Sequence, residues 1–460
     1  MKRVIYWSSG LLLSAGLTYA VYYLHSLIPV VTGYAAKHLC SAVFISNRDP
    51  AEVEASDLDF SLVRFVTNSV SYSDRSVVSR FLWVKSRAVF TERFGSTLLH
   101  DPVDNAFIQR SFPAVSFAGY DPDTLAWPLG NVVPDSVRVT CSAAMDDITG
   151  KLMAGLRYGG KVYAFMVIHK GLPVAERYSR GFTAGTLFPS WSMAKSFTNA
   201  FAGAMVMKGL LDITEKAAIP GWSDDGRREI TINNLMQMQS GLRWNEDYGN
   251  HSDVTKMLYE HGDFAAYAIG MPQDHPAGSH WYYSSGSANI LSLILRRHFR
   301  DDSSYYLFPY REVFQRIGMQ DVIFETDQSG TFTASSYIYA TARDYARFGL
   351  LYLGDGVFNG ERILPGGWVS YSSTPAIHSG GNYGTLFWLN KGRLLPSAPE
   401  DMFFCNGYDG QRIFIIPSAD LVVVALGHSH RPENDLNFDL LLKDILGSLP
   451  GPGQTVHPPG

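Results

Sequence analysis

Two strand pairs, far apart in the chain and both strongly apolar, constrain this sequence more than any other feature. Val162 to His169 is an unbroken β-type run, interrupted by Lys170-Gly171 and resumed from Pro173 to Tyr178, which reads as a hairpin. Near the other end QRIFIIP and LVVVALG flank Ser418-Ala419-Asp420 and read as a second hairpin. Helix signals fill the space between them. ITINNLMQMQSGL has Thr231 as N-cap and Gly241 as terminator, and TARDYARFGLLYLGDG runs from N-cap Thr341, with Asp344 in its first turn, to Gly354. Strands at both ends with helices in the middle predict an α+β fold, an α/β sandwich. Its antiparallel sheet is assembled from both ends of residues 148–447, flanked by helices, with a mostly helical layer inserted.

The rest of the chain divides by composition. Lys2 and Arg3 precede Val4 to Leu24, a run with no charged residue whose apolar character extends to Val31. A cleaved leader has an apolar region of about 7–15 residues, whereas a bilayer span needs about 20. Residues 1–32 are therefore expected to be a membrane anchor lying outside the fold, or a signal segment if Thr18 and Ala20 mark a cleavage site. Basic residues ahead of the span keep that end in the cytoplasm. The body would then sit outside it, on the periplasmic side of the inner membrane, or be secreted after cleavage. From about Ala36, residues 33–147 read as a small β-rich accessory region with a proline-punctuated linker, and 448–460 as a disordered tail. Cys40 and Cys141 could form a disulfide in an exported protein; equally, Cys40, Cys141 and Cys405 could be three buried thiols.

Chemistry enters at Ser192-Met-Ala-Lys195. On a helix starting near Trp191, residues three apart share a face, so a hydroxyl and an amine come within reach. A serine hydroxyl needs an adjacent base, and lysine serves only when burial lowers its pKa from about 10.4. Phe188, Trp191 and Met193 would form the apolar wall. The bare tetrad is equally compatible with a polar N-cap on a surface helix. Further along stands Trp281-Tyr282-Tyr283-Ser284-Ser285-Gly286. Beside a cation, the Tyr283 phenol could ionise and shuttle the Ser192 proton; alone, the segment is an aromatic turn. Third comes Phe404-Cys405-Asn406-Gly407-Tyr408-Asp409-Gly410. Its glycine would admit a substrate carbonyl to the strand edge, and the backbone N–H groups of Tyr408 and Ser192 would form an oxyanion hole. By itself it is an ordinary turn.

These segments occur together and in this order with SMAKS, PAGSHWYYSSG, ILPGGWV and GYDGQRIFIIPSADLVVV. The chain thereby resembles the serine hydrolases related to class C β-lactamases and penicillin-binding proteins, and most of all the 6-aminohexanoate-dimer (nylon-oligomer) hydrolase branch. The resemblance runs from about Tyr163 to Gly427. It implies Ser192 as acylated nucleophile, Lys195 and Tyr283 as acid/base pair, and the backbone of Ser192 and Tyr408 as oxyanion hole. It further implies Tyr248, Glu246, Ser285, Asn406 and Gly407 as substrate-binding positions, with no cofactor and no metal. Two departures stand out. Ser285 replaces the asparagine of Tyr-x-Asn, and Cys405-Asn406-Gly407 replaces Lys-Thr-Gly, leaving no cation at that place although Arg412 is nearby. An amidase or esterase acting on a small amide, ester or peptide fits the departures better than a β-lactamase. A catalytically silent binder of peptides or cell-wall fragments and a D,D-peptidase remain the alternatives.

Other candidates carry less. A net charge of −5 and a pI near 6.2 give no reason to expect a nucleic-acid partner. His428 and His430 could share a strand face as metal ligands, but no partnering carboxylate is evident in sequence. Asp224-Asp225 and Glu246-Asp247 read as solvated loop charges, with an ordering role for Glu246 implied only by the resemblance.

Overall fold

A six-stranded antiparallel sheet joins the two hairpins. The computed structural model describes residues 2–100, 107, 110–116, 119, 121–133, 143–428 and 435–449. Its strands comprise β1 (Thr67–Ser71), β2 (Ser76–Phe81), β3 (Val84–Thr91), β4 (Gly95–Leu99), β5 (Val162–His169) and β6 (Leu172–Tyr178). Short β7 (Phe188–Pro189), β8 (Ile323–Phe324), β9 (Ile338–Ala340), β10 (Val357–Phe358) and β11 (Glu361–Arg362) follow, then β12 (Trp388–Leu389), β13 (Phe403–Asn406), β14 (Arg412–Ile416) and β15 (Leu421–Gly427). The large sheet has the order β12-β13-β14-β15-β5-β6. Its last strand in sequence pairs with its first, Val424 opposite Met166.

The apolar runs are unbroken because both faces of this sheet are covered. Along β15 the period of two divides the side chains. Val422, Val424 and Leu426 enter the main core, while Leu421, Val423 and Ala425 enter a second core. Helix Ala342–Leu353 lies on the first face, capped by the Thr341 side chain accepting from Asp344 N. It approaches so closely that a Cβ on Gly349 would fall 2.5 Å from Val422 Cγ1. Helices Ala143–Met153 and Phe438–Ser448 close the other face. The ITINNL segment begins at Thr231 in a capping box with Asn234, but its helix ends at Met236, well before Gly241.

The N-terminal region differs from the sequence expectation. One continuous helix, α1, spans Lys2–Phe44, followed by α2 (Pro50–Ser56); the strand pattern expected from Ala36 begins only at Thr67. The second half of α1 belongs to the fold and is no separate anchor. Ile28, Ala35, Ala36, Leu39 and Cys40 are fully buried. Its Lys37 ammonium pairs with buried Glu325, whose Oε1 also accepts from Ser41 Oγ at 2.9 Å and Ser96 N at 2.7 Å. By length and composition Val21–Phe44 could cross a membrane, yet 72% of its most apolar window is buried. A helix enclosed by protein on all sides needs the same all-round apolarity as one enclosed by lipid, and that ambiguity misplaced the boundary at residue 32. The strands β1–β4 form a meander, with α1 packed across β2, β3 and β4. Cys40 is a buried free thiol; Cys141, its partner in one of the two alternatives, and the tail beyond Leu449 lie outside the described residues.

Candidate active site

The Ser192 turn is more contorted than a plain helix start. Trp191–Met193 form a 3-10 turn that leads into helix Ala194–Met207. Trp191, just before the serine, adopts φ 44°, a left-handed conformation that costs a bulky residue of order 1–3 kcal/mol. Its surroundings hold it there. The Ser190 hydroxyl donates to Trp191 O at 2.9 Å and accepts from Ile338 N at 3.0 Å. The buried indole lies among Tyr34, His38, Tyr337 and Tyr408, with ring centroids 5.5–6.4 Å away. Two of these four, Tyr34 and His38, come from α1.

Lys195 is 1% exposed. Its Nζ lies 3.1 Å from Ser192 Oγ, 3.0 Å from Ser285 Oγ and 3.1 Å from the Ser335 carbonyl. Burial lowers its pKa to about 8, against the opposing pull of Glu246. The Ser335 carbonyl was not legible in sequence, because nothing in TASSY announces that an acceptor will point at an amine 140 positions away.

Tyr283 also reaches this point, ahead of N-cap Ser284 and helix Ser285–Arg297. Lys195 Nζ sits 4.7 Å above the centre of its ring, and its hydroxyl interacts with Ser192 and Trp388. Burial, reinforced by Glu246, pushes the phenol well above its ordinary pKa. The phenolate expected from sequence is therefore disfavoured. A cation over the ring face does not offset the desolvation of a phenolate oxygen.

Glu246 is not the solvated loop charge its neighbours suggested, although Asp247 beside it is exposed. The Glu246 carboxylate accepts from Ser285 Oγ, from Ser285 N at 2.8 Å, from Trp244 Nε1 and from Tyr248 OH at 3.3 Å. An unbroken chain of hydrogen bonds thus runs from Ser192 through Lys195 and Ser285 to Glu246. Tyr248 stacks on Tyr408 with centroids 5.8 Å apart.

The third motif closes the cleft. Gly407 follows β13, and a Cβ there would overlap the Ser190 carbonyl oxygen; glycine alone lets this strand end lie against the Ser192 turn. Ser192 and Tyr408 both line one cavity of about 440 Å³, together with Tyr248, Tyr283, Trp388, Asn406, Gly407 and Arg412. Arg412, opposite Asn406 in the sheet register, brings a cation to the cleft that Cys405-Asn406-Gly407 itself lacks. Its guanidinium donates to the Gly407 and Gln411 carbonyls at 2.6 and 2.9 Å, and burial lowers its pKa to about 10. Cys405 is buried, its thiol pushed up to about 12 by burial, which leaves no thiolate at neutral pH. His428 pairs with Asp409 at 3.0 Å. Burial disfavours its cation, but the Asp409 carboxylate prevails and raises the pKa. His430 lies outside the described residues, and among those described no group of three metal ligands occurs.

Comparison with known proteins points the same way. The family described as Beta-lactamase matches residues 145–446. A 6-aminohexanoate-dimer hydrolase of Paenarthrobacter ureafaciens is 23% identical over 300 residues, covering 59% of this chain and 73% of that protein. In three dimensions the chain is similar to a putative 6-aminohexanoate-dimer hydrolase from Bacillus anthracis, with TM-score 0.57 and 22% identity over 73% of this chain and 91% of that one. It is also similar to a penicillin-binding protein homolog from Caulobacter crescentus, with TM-score 0.50 and 14% identity over 69% and 99% of the two chains.

Proposed function

Given that this chain belongs to the beta-lactamase family and is a serine hydrolase, we propose that it cleaves a small amide or ester through an acyl intermediate on Ser192. The observation that carries this reading is the buried Lys195 amine, its pKa near 8, 3.1 Å from Ser192 Oγ. In its neutral form this amine donates to Ser285 Oγ and Ser335 O and keeps a lone pair for the Ser192 proton. As the serine oxygen attacks the substrate carbonyl, Lys195 takes that proton. The backbone N–H groups of Ser192 and Tyr408 hold the developing oxyanion, each such donor contributing about 3 kcal/mol to the transition state. Tyr283, protonated at rest, gives its proton to the leaving atom, and the proton on Lys195 makes good the loss. Water then resolves the ester by the reverse sequence.

Tyr248 and Asn406 line the acyl or leaving-group side. Glu246 acts through Ser285, whose hydroxyl it holds against Lys195. Retention of the nucleophile, base and phenol in one cleft favours this reading over a silent binder. The substrate resembles the linear amides named for the 6-aminohexanoate-dimer hydrolases more than a β-lactam, because the third motif carries no lysine. The first half of α1 is the anchor, and the catalytic domain stands outside the cytoplasm. A fluorophosphonate probe tests the chemistry. Folded wild-type protein is labelled on serine, and Ser192→Ala is not; an unlabelled wild type, or equal labelling of the variant, refutes it.

A further inference from the structure

Exposed apolar residues that ring α1 where it leaves the domain, together with those at one end of the small sheet, form an apolar end of the domain. Val21, Tyr22, Tyr23 and Leu24 are exposed, Tyr22 by 71%. Leu82 and Trp83 form the tip of the β2–β3 hairpin, bounded by the Phe81–Val84 pair, and are 66% and 64% exposed. Exposed Phe65 lies at the same end, since it precedes β1, whose Thr67 pairs with Arg80. Helix and hairpin are in register. The His25 ring stacks on Trp83 at 5.9 Å, and Thr32 Oγ1 bonds Ser86 Oγ at 2.8 Å. From residue 25 to 32 the helix advances about 10 Å, and from 83 to 86 the strand advances about 10 Å. The helix therefore runs along β3 and leaves the domain at the hairpin tip.

We propose that this end rests on the bilayer that the preceding part of α1 crosses, with Trp83, Leu82, Phe65 and Tyr22 in the headgroup boundary. The inference rests on the anchor reading above and goes beyond it, because it adds a contact between the domain surface and the bilayer to the helix α1 that joins them. Three observations choose lipid as the occupant. The apolar end is continuous with the uncharged stretch Val4–Leu24, which as a helix is about 31 Å long, close to the hydrocarbon thickness of about 30 Å. Its composition is that of an interfacial belt, with tryptophan and tyrosine where the span ends. Exposed Arg80 and Lys85, paired across the hairpin just behind the tip, suit anionic headgroups. The Tyr23 hydroxyl also donates to Asn250 Oδ1 at 3.0 Å, which ties the loop bearing Tyr248 to the level of the interface.

The full-length protein, reconstituted into phosphatidylcholine–phosphatidylglycerol vesicles containing lipid brominated on the upper acyl chain, provides the test. Tryptophan quenching is compared between wild type and Trp83→Phe, with fluorophosphonate labelling as the check that both are folded. The wild type is expected to show a quenchable emission component that Trp83→Phe loses, and Arg80→Glu/Lys85→Glu to diminish it. Equal quenching of wild type and Trp83→Phe in protein that floats with the vesicles overturns the docking while leaving the anchor intact. Protein that does not float overturns both. An unquenched Trp83 accompanied by a cross-linked dimer assigns this end to a second copy and overturns the proposal.

Discussion

Replacing Glu246 by glutamine separates electrostatic tuning of the base from mere support of it. Lys195 has a pKa of about 8, so roughly one tenth of it is neutral at pH 7 and nine tenths at pH 9. If the neutral amine is the base, kcat/KM for a chromogenic ester rises about ninefold across that interval, because this parameter reports the free enzyme. The Glu246 carboxylate opposes the effect of burial and holds the lysine pKa up. Glutamine removes the charge and keeps an acceptor for Ser285 N. The midpoint of the Glu246→Gln profile is therefore expected below that of the wild type. The gain at pH 7 is capped at about tenfold, where all the lysine is already neutral. Falling activity with an unmoved midpoint would show that Glu246 only positions Ser285 and Tyr248. An upward shift would refute the electrostatic argument altogether.

Two further predictions concern stability and strand approach. Lowering the Lys195 pKa from 10.5 to about 8 corresponds to about 3 kcal/mol of unfavourable burial at neutral pH. Lys195→Met relieves it and leaves the Ser285 hydroxyl and Ser335 carbonyl without their donor, at about 1 kcal/mol each. The inactive variant should gain about 1 kcal/mol in urea unfolding at pH 7. Because the unfolded chain binds the extra proton between pH 8 and 10.5, this group makes the wild type more stable as pH rises through that window, and the advantage of the variant should vanish there. Gly407→Ala pushes a methyl into the Ser190 carbonyl oxygen; a loss of about 1–3 kcal/mol is expected, together with slowed fluorophosphonate labelling as Tyr408 moves from Ser192.

Local patterns carried much of this. The apolar runs of β5, β14 and β15 were readable as strands because a sheet buried on both faces demands unbroken hydrophobicity, while β6, at the sheet edge, alternates instead. Thr231 and Thr341 were readable as caps because a hydroxyl one residue before a helix satisfies its open N–H groups. The three-residue spacing of Ser192 and Lys195 likewise announced that the amine could meet the hydroxyl, although the turn that brings them together is a 3-10 turn held by tertiary contacts. The helix through Phe44 was not readable, since composition reports an apolar environment without saying whether lipid or protein supplies it. The inward placement of Glu246 was hidden for the opposite reason. Its sequence neighbours are polar loop residues, and only the fold turns its carboxylate inward onto Ser285.

The sequence by itself determined the two hairpins of the large sheet, the caps at Thr231 and Thr341, and which hydroxyl can meet which amine, because those follow from contacts within a few residues. The tertiary structure alone decided the state of the groups. Lys195 loses its proton readily, Tyr283 keeps its own, and Arg412 enters the cleft. Each outcome depends on burial and on charges brought together from distant parts of the chain, and desolvation belongs to the packed assembly.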